Sequence, residues 1–167
     1  MNTNSKTKVV AFTGPSNSGK TTLIINLSQL LQNQGYKVSI IKHDPGNKAI
    51  FDREGKDSYK FFQTGADVAV VSPQRTTIFK QTTSQIETII KSFDHSDFVL
   101  VEGLKTLPLP RICIQRNQLT SEYFELSDTI ATDGTIDLKQ FPSHMNILDL
   151  NNLEQIIQWI KLNAKVM

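Results

Sequence analysis

"GPSNSGKTT" at residues 14–22 follows directly on the short apolar run "KVVAF" at 8–12, and the fold turns on how this junction is read. Gly14-Pro15-Ser16-Asn17-Ser18-Gly19-Lys20-Thr21 fits G-x-x-x-x-G-K-[ST] without a gap, and Thr22 continues it. The context is also right: the β-branched run before it predicts a buried strand over Lys8 to Thr13, and the pattern after it predicts a helix. A loop that wraps a phosphate must turn successive backbone N–H groups inward, which needs dihedrals that glycine adopts at low cost. The positive end of the next helix favours the anion further. In such a cradle Lys20 reaches the β- and γ-phosphates. The Thr21 hydroxyl takes one position on a Mg²⁺ ion, a metal that keeps most of its waters and needs few protein ligands. The junction predicts a site for a nucleoside triphosphate.

Periodicity places the remaining elements around this loop. Leu23, Leu27, Leu30 and Leu31 recur at helical spacing between Thr21 and Gln34, and Gly35 stops the helix. "YKVSIIKHD" (36–44) supplies a second strand, so strand, helix and strand imply a right-handed βαβ unit with parallel strands. Residues 45–57 are rich in turn formers and charge and predict a mobile loop; 57–65 reads as a short helix ended by Gly65. "DVAVVSPQRTTIFKQ" (67–81) predicts two short strands around a Ser-Pro-Gln-Arg turn, an antiparallel hairpin. Ser84 and Glu87 form a capping box before a helix striped by Ile86, Ile89, Ile90 and Phe93. "FVLVEG" (98–103) is continuously apolar up to its acid, as a central parallel strand is. "RICIQ" (111–115) and "DTIAT" (128–132) are further strands. A last helix starts near Asn151 or Asn152 with Leu153, Ile156, Ile157 and Ile160 on one face. The expected fold is α/β: one P-loop NTPase domain over 1–167, with a mostly parallel twisted sheet, helices on both faces and a small antiparallel β-hairpin insertion.

Bulk properties narrow the function. Eighteen Lys plus Arg against sixteen Asp plus Glu leave a net charge of +2, which gives no global attraction for nucleic acid. The single cysteine, Cys113, sits in an apolar run and reads as a buried strand residue. The polar N-terminus is unlike a signal peptide, and no apolar run nears the ~20 residues of a membrane span. A soluble, cytoplasmic protein with no membrane partner is expected.

A P-loop needs a partner acid from a neighbouring strand end. Glu102, closing "FVLVEG", stands where many P-loop proteins carry aspartate, and can hold Mg²⁺ through a water or orient an attacking water. Asp44, ending "IIKHD", competes for that duty, although Asp-Pro-Gly is equally an ordinary turn. His43 reads as a loop residue near the phosphates, its role open. A guanine-reading Asn-Lys-x-Asp is absent. Asp133 in "ATDG" could accept the same two guanine hydrogens, or could simply make an Asp-Gly turn.

Taken in order and spacing, "GPSNSGKTTL", "VSIIKHD", "GKDSYKFFQTGA", "VVSPQRTTIF" and "VLVEGLK" resemble molybdopterin-guanine dinucleotide biosynthesis protein B. The resemblance covers roughly residues 8 to 116 well and the rest loosely. It implies a P-loop fold that binds GTP with Mg²⁺, hydrolyses it slowly at most, and forms a homodimer. The implied role is to assist a guanylyltransferase that joins GMP to molybdopterin, with molybdopterin itself a conceivable ligand. Carried over, Gly14 to Thr22 bind the phosphates, Glu102 and Gly103 form the second acidic motif, and Lys42, His43 and Asp57 border the site. This chain departs from the family at "DPGN" after "KH", where further histidines are common, and at Leu104 in "VEGL". A second reading is a P-loop small-molecule kinase, with Arg111 and Arg116 flanking a strand beyond the "LKTLPLP" loop as lid residues.

Overall fold

The computed structural model describes residues 6–93 and 95–167; the polar segment at 1–5 lies outside the described residues. The chain divides into two compact units, one of Met1–His43 with Phe93–Met167, the other of Asp44–Ser92. In chain order the elements are β1 (Lys8–Thr13), α1 (Lys20–Asn33), β2 (Val38–Lys42), α2 (Asp57–Gln63), β3 (Val68–Val71) and β4 (Thr76–Phe79). Then follow α3 (Ile86–Ser92), β5 (Phe98–Glu102), β6 (Arg111–Gln115), β7 (Thr129–Thr132), β8 (Asn146–Asp149), α4 (Leu153–Asn163) and β9 (Lys165–Val166).

The larger unit is built on a seven-stranded sheet with the order β2-β5-β1-β6-β7-β8, to which β9 adds on β1. Every pair along that path is parallel, and only β9 runs antiparallel. The sheet is therefore mostly parallel, as the apolar runs implied. One detail differs from the simplest βαβ reading: β5 lies between β1 and β2 and pairs with both. The reason is burial. Val9 to Phe12 and Val99 to Val101 are fully buried, whereas β2 has only Ile41 buried and suits an edge.

Strand alternation sorts the β6 side chains. Ile112 and Ile114 join Val10, Phe12, Leu27 and Leu31 with Ile156 and Ile160 of α4 in one core cluster. Cys113, on the opposite face, joins Tyr123, Ile130, Ile136, Phe141 and Met145. Helices α1 and α4 thus cover one face, and a 3-10 turn at Ser121–Leu126 with the segment around Phe141 packs on the other. Each fully buried Ile or Leu of these layers stabilises the fold by roughly 1.5–3 kcal/mol. Asn152 caps α4, its side chain accepting from the Gln155 N–H.

In the smaller unit β3 and β4 pair antiparallel, from Val68 opposite Phe79 to Val71 opposite Thr76. This is the anticipated hairpin. Ser72 closes its tip, its Oγ donating to the Arg75 carbonyl at 3.0 Å and accepting the Arg75 N–H at 3.2 Å. Gln81 ties α2 to the hairpin: its Nε2 donates to the Phe62 carbonyl at 2.7 Å and its N–H to Asp67 Oδ1 at 2.8 Å. The Ser84–Glu87 capping box is not formed. Helix α3 starts at Ile86, so Ser84 comes one residue too early to cap it, and its Oγ accepts instead from Lys80 Nζ.

Arg111 is the most consequential buried polar residue of the larger unit. It is 4% exposed, and its guanidinium donates to the carbonyls of Gly103 (3.0 Å), Leu104 (3.0 Å) and Leu107 (3.2 Å). Burial pulls its pKa below the ordinary value. It pins the chain just after β5, and these bonds remove it from the lid role that the kinase reading gave it.

Two outcomes follow from this packing. Arg111→Met leaves three carbonyls without a charged donor and is expected to lower unfolding free energy in urea by about 3 kcal/mol. Stability equal to wild type would contradict the pinning role. Burial pushes the Cys113 thiol from its ordinary 9.0 up to about 11, so the native protein at pH 8 should not react with a disulfide reagent until unfolded. The folded state holds this proton more tightly than the unfolded chain, so its contribution to stability is complete below about pH 9 and is lost as pH rises through about 11. A thiol titrating rapidly in the native protein would refute it.

Candidate functional site

The loop between β1 and α1 is shaped by contact with β6. Gly14 has φ +140°, and a Cβ there would overlap the Ile114 carbonyl oxygen, so only glycine lets β1 end this close to its neighbour. Asn17 takes the left-handed region at φ 62°, which asparagine tolerates. Gly19, at φ 95°, is the N-cap of α1 and brings no side chain to cap it. The helix starts with the Leu23 N–H on the Gly19 carbonyl at 2.9 Å. The N–H groups of Lys20, Thr21 and Thr22 thus have no earlier helical carbonyl to bond.

The electrostatics of this turn are unusual. A helix normally favours acids in its first turn, yet α1 has none there and places Lys20 at its positive end. The Lys20 ammonium folds back onto its own loop, donating to the carbonyls of Gly14 at 3.0 Å and Pro15 at 2.7 Å. Burial lowers its pKa, an effect that Glu102 opposes. Ser18 Oγ is buried among these groups with no hydrogen-bond partner among the described residues. A positive dipole end, a half-desolvated cation and an orphaned hydroxyl gathered on one loop suit an anion such as a polyphosphate.

Glu102 closes β5 opposite Phe12 of β1 and Lys42 of β2. Its Oε1 accepts from Thr21 Oγ1 at 3.4 Å, and its Oε2 lies 3.4 Å from Lys42 Nζ. Lys42 is 65% exposed, so this ion pair contributes little to stability; its effect is to hold the carboxylate facing the loop. A threonine hydroxyl beside one carboxylate is an all-oxygen donor set, which fits Mg²⁺ completed by waters and does not fit a metal that prefers thiolate or imidazole. His43 follows on β2: its N–H bonds the Glu102 carbonyl at 2.9 Å, and a Cβ on Gly103 would stand 3.0 Å from its own Cβ. The structure brings Gly14 to Thr22, Lys42, His43, Glu102 and Gly103 to one end of the larger unit's sheet.

Two candidate acids fall in the smaller unit. Asp44 Oδ2 accepts the Ala49 N–H at 2.7 Å, closing the Asp-Pro-Gly turn, and Asp57 pairs with Lys60 at 3.4 Å on the α2 surface. Asp133, at the end of β7, has both carboxylate oxygens occupied: Oδ2 by Arg116 Nε at 2.7 Å, Oδ1 by the Thr135 hydroxyl at 2.6 Å. These bonds hold its pKa below the usual carboxylate range, Thr135 first among the causes. Reading guanine would require it to release one of them.

Sequence reasoning missed the position of Arg116. Its Nη1 would lie 3.3 Å from a Cβ on Gly19, so one guanidinium spans from the phosphate loop to Asp133. Beside it Gly19, Thr22, Asn26, Leu150 and Asn151 line a concavity of about 140 Å³. Nothing in the chain pointed there, because Leu150 and Asn151 follow β8, whose "NILD" is too short to stand out as a strand.

Comparison with known proteins places the chain in a family. The MobB family model, described as molybdopterin guanine dinucleotide synthesis protein B, matches residues 9–133. The chain is 31% identical over 166 residues to a Haemophilus influenzae protein named molybdopterin-guanine dinucleotide biosynthesis adapter protein, covering 95% of this chain and 90% of the relative. It is 28% identical to the Escherichia coli protein of the same name, covering 92% and 93%. In fold, it is similar to the crystal structure of Bacillus subtilis MobB with a TM-score of 0.72 and 23% identity, covering 95% and 98%. A hydrogenase maturation factor HypB from Archaeoglobus fulgidus is similar at TM-score 0.54 and 18% identity, covering 95% and 88%. The family model over residues 9–133 and the 31% identical relative establish that the chain belongs to the MobB family.

Proposed function

We propose that this chain is an adapter in molybdopterin guanine dinucleotide biosynthesis that binds GTP with Mg²⁺ on Gly14–Thr22 and assists a cytoplasmic guanylyltransferase. The observation that carries the reading is the convergence of Lys20, Thr21 and Glu102 at the mouth of the β1–α1 loop, in a chain of this family. Lys20 would exchange the Gly14 and Pro15 carbonyls for β- and γ-phosphate oxygens, and Thr21 with Glu102 would hold the metal. Magnesium supplies charge neutralisation between the phosphates. Asp133 would read the base, Arg116 moving aside, and His43 and Lys42 would border the phosphates. Asp44 is the alternative acid. Hydrolysis, where it occurs, is slow, because an adapter needs the nucleotide held rather than consumed. The 1–167 chain acts as one nucleotide-binding domain and as a homodimer.

The small-molecule kinase reading is not favoured. Phosphoryl transfer relies on positive charge brought over the transferring group, and one of the two arginines of the lid reading, Arg111, is committed inside the fold, while Arg116 would have to leave its Asp133 partner. Arg111 is buried on three carbonyls, and Arg116 is paired with Asp133.

Calorimetric titration tests the proposal. GTP should bind in the presence of Mg²⁺ and ATP markedly less well. Lys20→Ala should weaken GTP by about a hundredfold, near 3 kcal/mol for a lost charge-assisted contact, while its melting curve stays that of wild type. Glu102→Gln should keep binding but lose most of its Mg²⁺ dependence. Preference for ATP, or undiminished affinity in Lys20→Ala, would contradict the assignment.

A further inference from the structure

The lysine that closes "VLVEGLK" lies outside the phosphate loop in sequence, yet the topology carries it there. Strands β5 and β6 lie on either side of β1, so the connection between them, residues 103–110, must cross the strand that feeds the loop. Both ends of that crossing are bonded to β1. The Gly103 N–H donates to the Phe12 carbonyl at 3.0 Å, and the Pro110 carbonyl accepts the Ala11 N–H at 2.9 Å. Between these anchors Arg111 holds the carbonyls of Gly103, Leu104 and Leu107. Leu104 has φ 48°, in the left-handed region that a bulky side chain rarely adopts. Strain of this kind persists only where the surroundings enforce it, and the Arg111 bonds enforce it here. The result is a rigid platform that carries an exposed Lys105.

The Lys105 ammonium sits over the Tyr123 ring, 4.2 Å from its centroid, and takes part in no ion pair among the described residues. Tyr123 and Cys113 belong to the cluster on the sheet face away from α1, so Lys105 flanks the strand ends from the face opposite the helix that bears Lys20. Its charge reaches the cradle. Burial lowers the Lys20 pKa, Glu102 opposes that effect, and the charges of Lys42 and Lys105 lower it further. The Cys113 thiol, its pKa pushed up to about 11 by burial, is uncharged at neutral pH. Two further ammonium groups therefore act on Lys20 against one carboxylate. Like charges gathered in this way repel one another, and a polyanion relieves the repulsion. A cation–π contact at an exposed lysine is weak. The flexible four-carbon stem lets the ammonium exchange the ring for a phosphate oxygen, a charge-assisted contact and the stronger of the two.

We propose that Lys105 is a second phosphate-binding lysine, which leaves the Tyr123 ring for the terminal phosphate of a bound nucleoside triphosphate and so selects triphosphate over diphosphate. The inference rests on the proposed binding of GTP at Gly14–Thr22 and adds the residue that tells GTP from GDP. The terminal phosphate is assigned because Lys105 follows closely on Glu102, which with Thr21 would hold the metal between the β- and γ-phosphates.

Calorimetry of wild type, Lys105→Met and Lys105→Arg with GTP and with GDP, each with Mg²⁺, tests the role. Lys105→Met keeps an apolar stem on Tyr123 and removes only the charge. Wild type is expected to bind GTP about tenfold or more tighter than GDP, one charge-assisted contact apart. Lys105→Met should weaken GTP by about tenfold and leave GDP within about twofold, and Lys105→Arg should restore most of the GTP affinity. GDP affinity held in Lys105→Met shows that the variant is folded. Proton spectra of the wild type need no variant: the Lys105 ε-methylene signals, shifted upfield by the Tyr123 ring, should move downfield with GTP and stay in place with GDP. Equal weakening of GTP and GDP in Lys105→Met marks a structural lysine and overturns the proposal. Undiminished GTP affinity in that variant overturns it too, as does a wild type that binds GDP as tightly as GTP, or Lys105 signals that GTP leaves unmoved. In each of these cases the phosphate-loop reading stands, because GTP still binds. Failure of the wild type to bind either nucleotide overturns that reading, and the role of Lys105 with it.

Discussion

The close approach of β1 to β6 at Gly14 governs the rest of the larger unit's working end. With the Ile114 carbonyl where a Cβ would be, the chain can leave β1 only through a residue without a side chain. That exit turns Pro15 to Gly19 into a loop rather than a continued strand, and it starts α1 with its first N–H groups facing the sheet's carboxyl edge. The same geometry fixes Lys20 over its own loop carbonyls and Thr21 beside Glu102. One steric exclusion thereby sets an adjacent cation and hydroxyl beside an acid 81 residues further along the chain.

Electrostatics then make the arrangement costly without an anion. A lysine at a helix N-terminus, half out of water and opposed by the dipole, is unfavourable by ordinary capping rules. Its partial compensation comes from two carbonyls and from Glu102. The Arg116–Asp133 pair is a second such arrangement: charge is stored beside Gly19 in a bond that a ligand could exchange. Arg111, by contrast, is buried inside the structure with its guanidinium on three backbone carbonyls.

Much of this was legible in the chain. The phosphate loop, the central β5, the hairpin and the start of α4 near Asn151 or Asn152 all depend on local chemistry: glycine at strained dihedrals, unbroken apolar runs, turn residues, helical spacing of apolar side chains. What could not be read depends on distant partners. The insertion of β5 between β1 and β2 follows from which strands need two covered faces, a property of the finished sheet. β9 is two residues long and exists because β6 pairs with Ala11 to Thr13 and leaves Lys8 and Val9 open. Ser84 lost its capping role to a one-residue shift in the start of α3. Arg111 and Arg116 are identical side chains five residues apart with opposite duties. Only the burial of one and the exposure of the other separate them.

The claim at the centre is that backbone amides at the start of α1 hold a triphosphate. Amide chemical shifts during titration with magnesium GTP address it residue by residue. The prediction is large, saturable movement at Gly19, Lys20, Thr21 and Thr22, with β8 and α4 residues remote from the loop unmoved. Saturation by GTP with those four amides unshifted, and the changes gathered elsewhere, would contradict it.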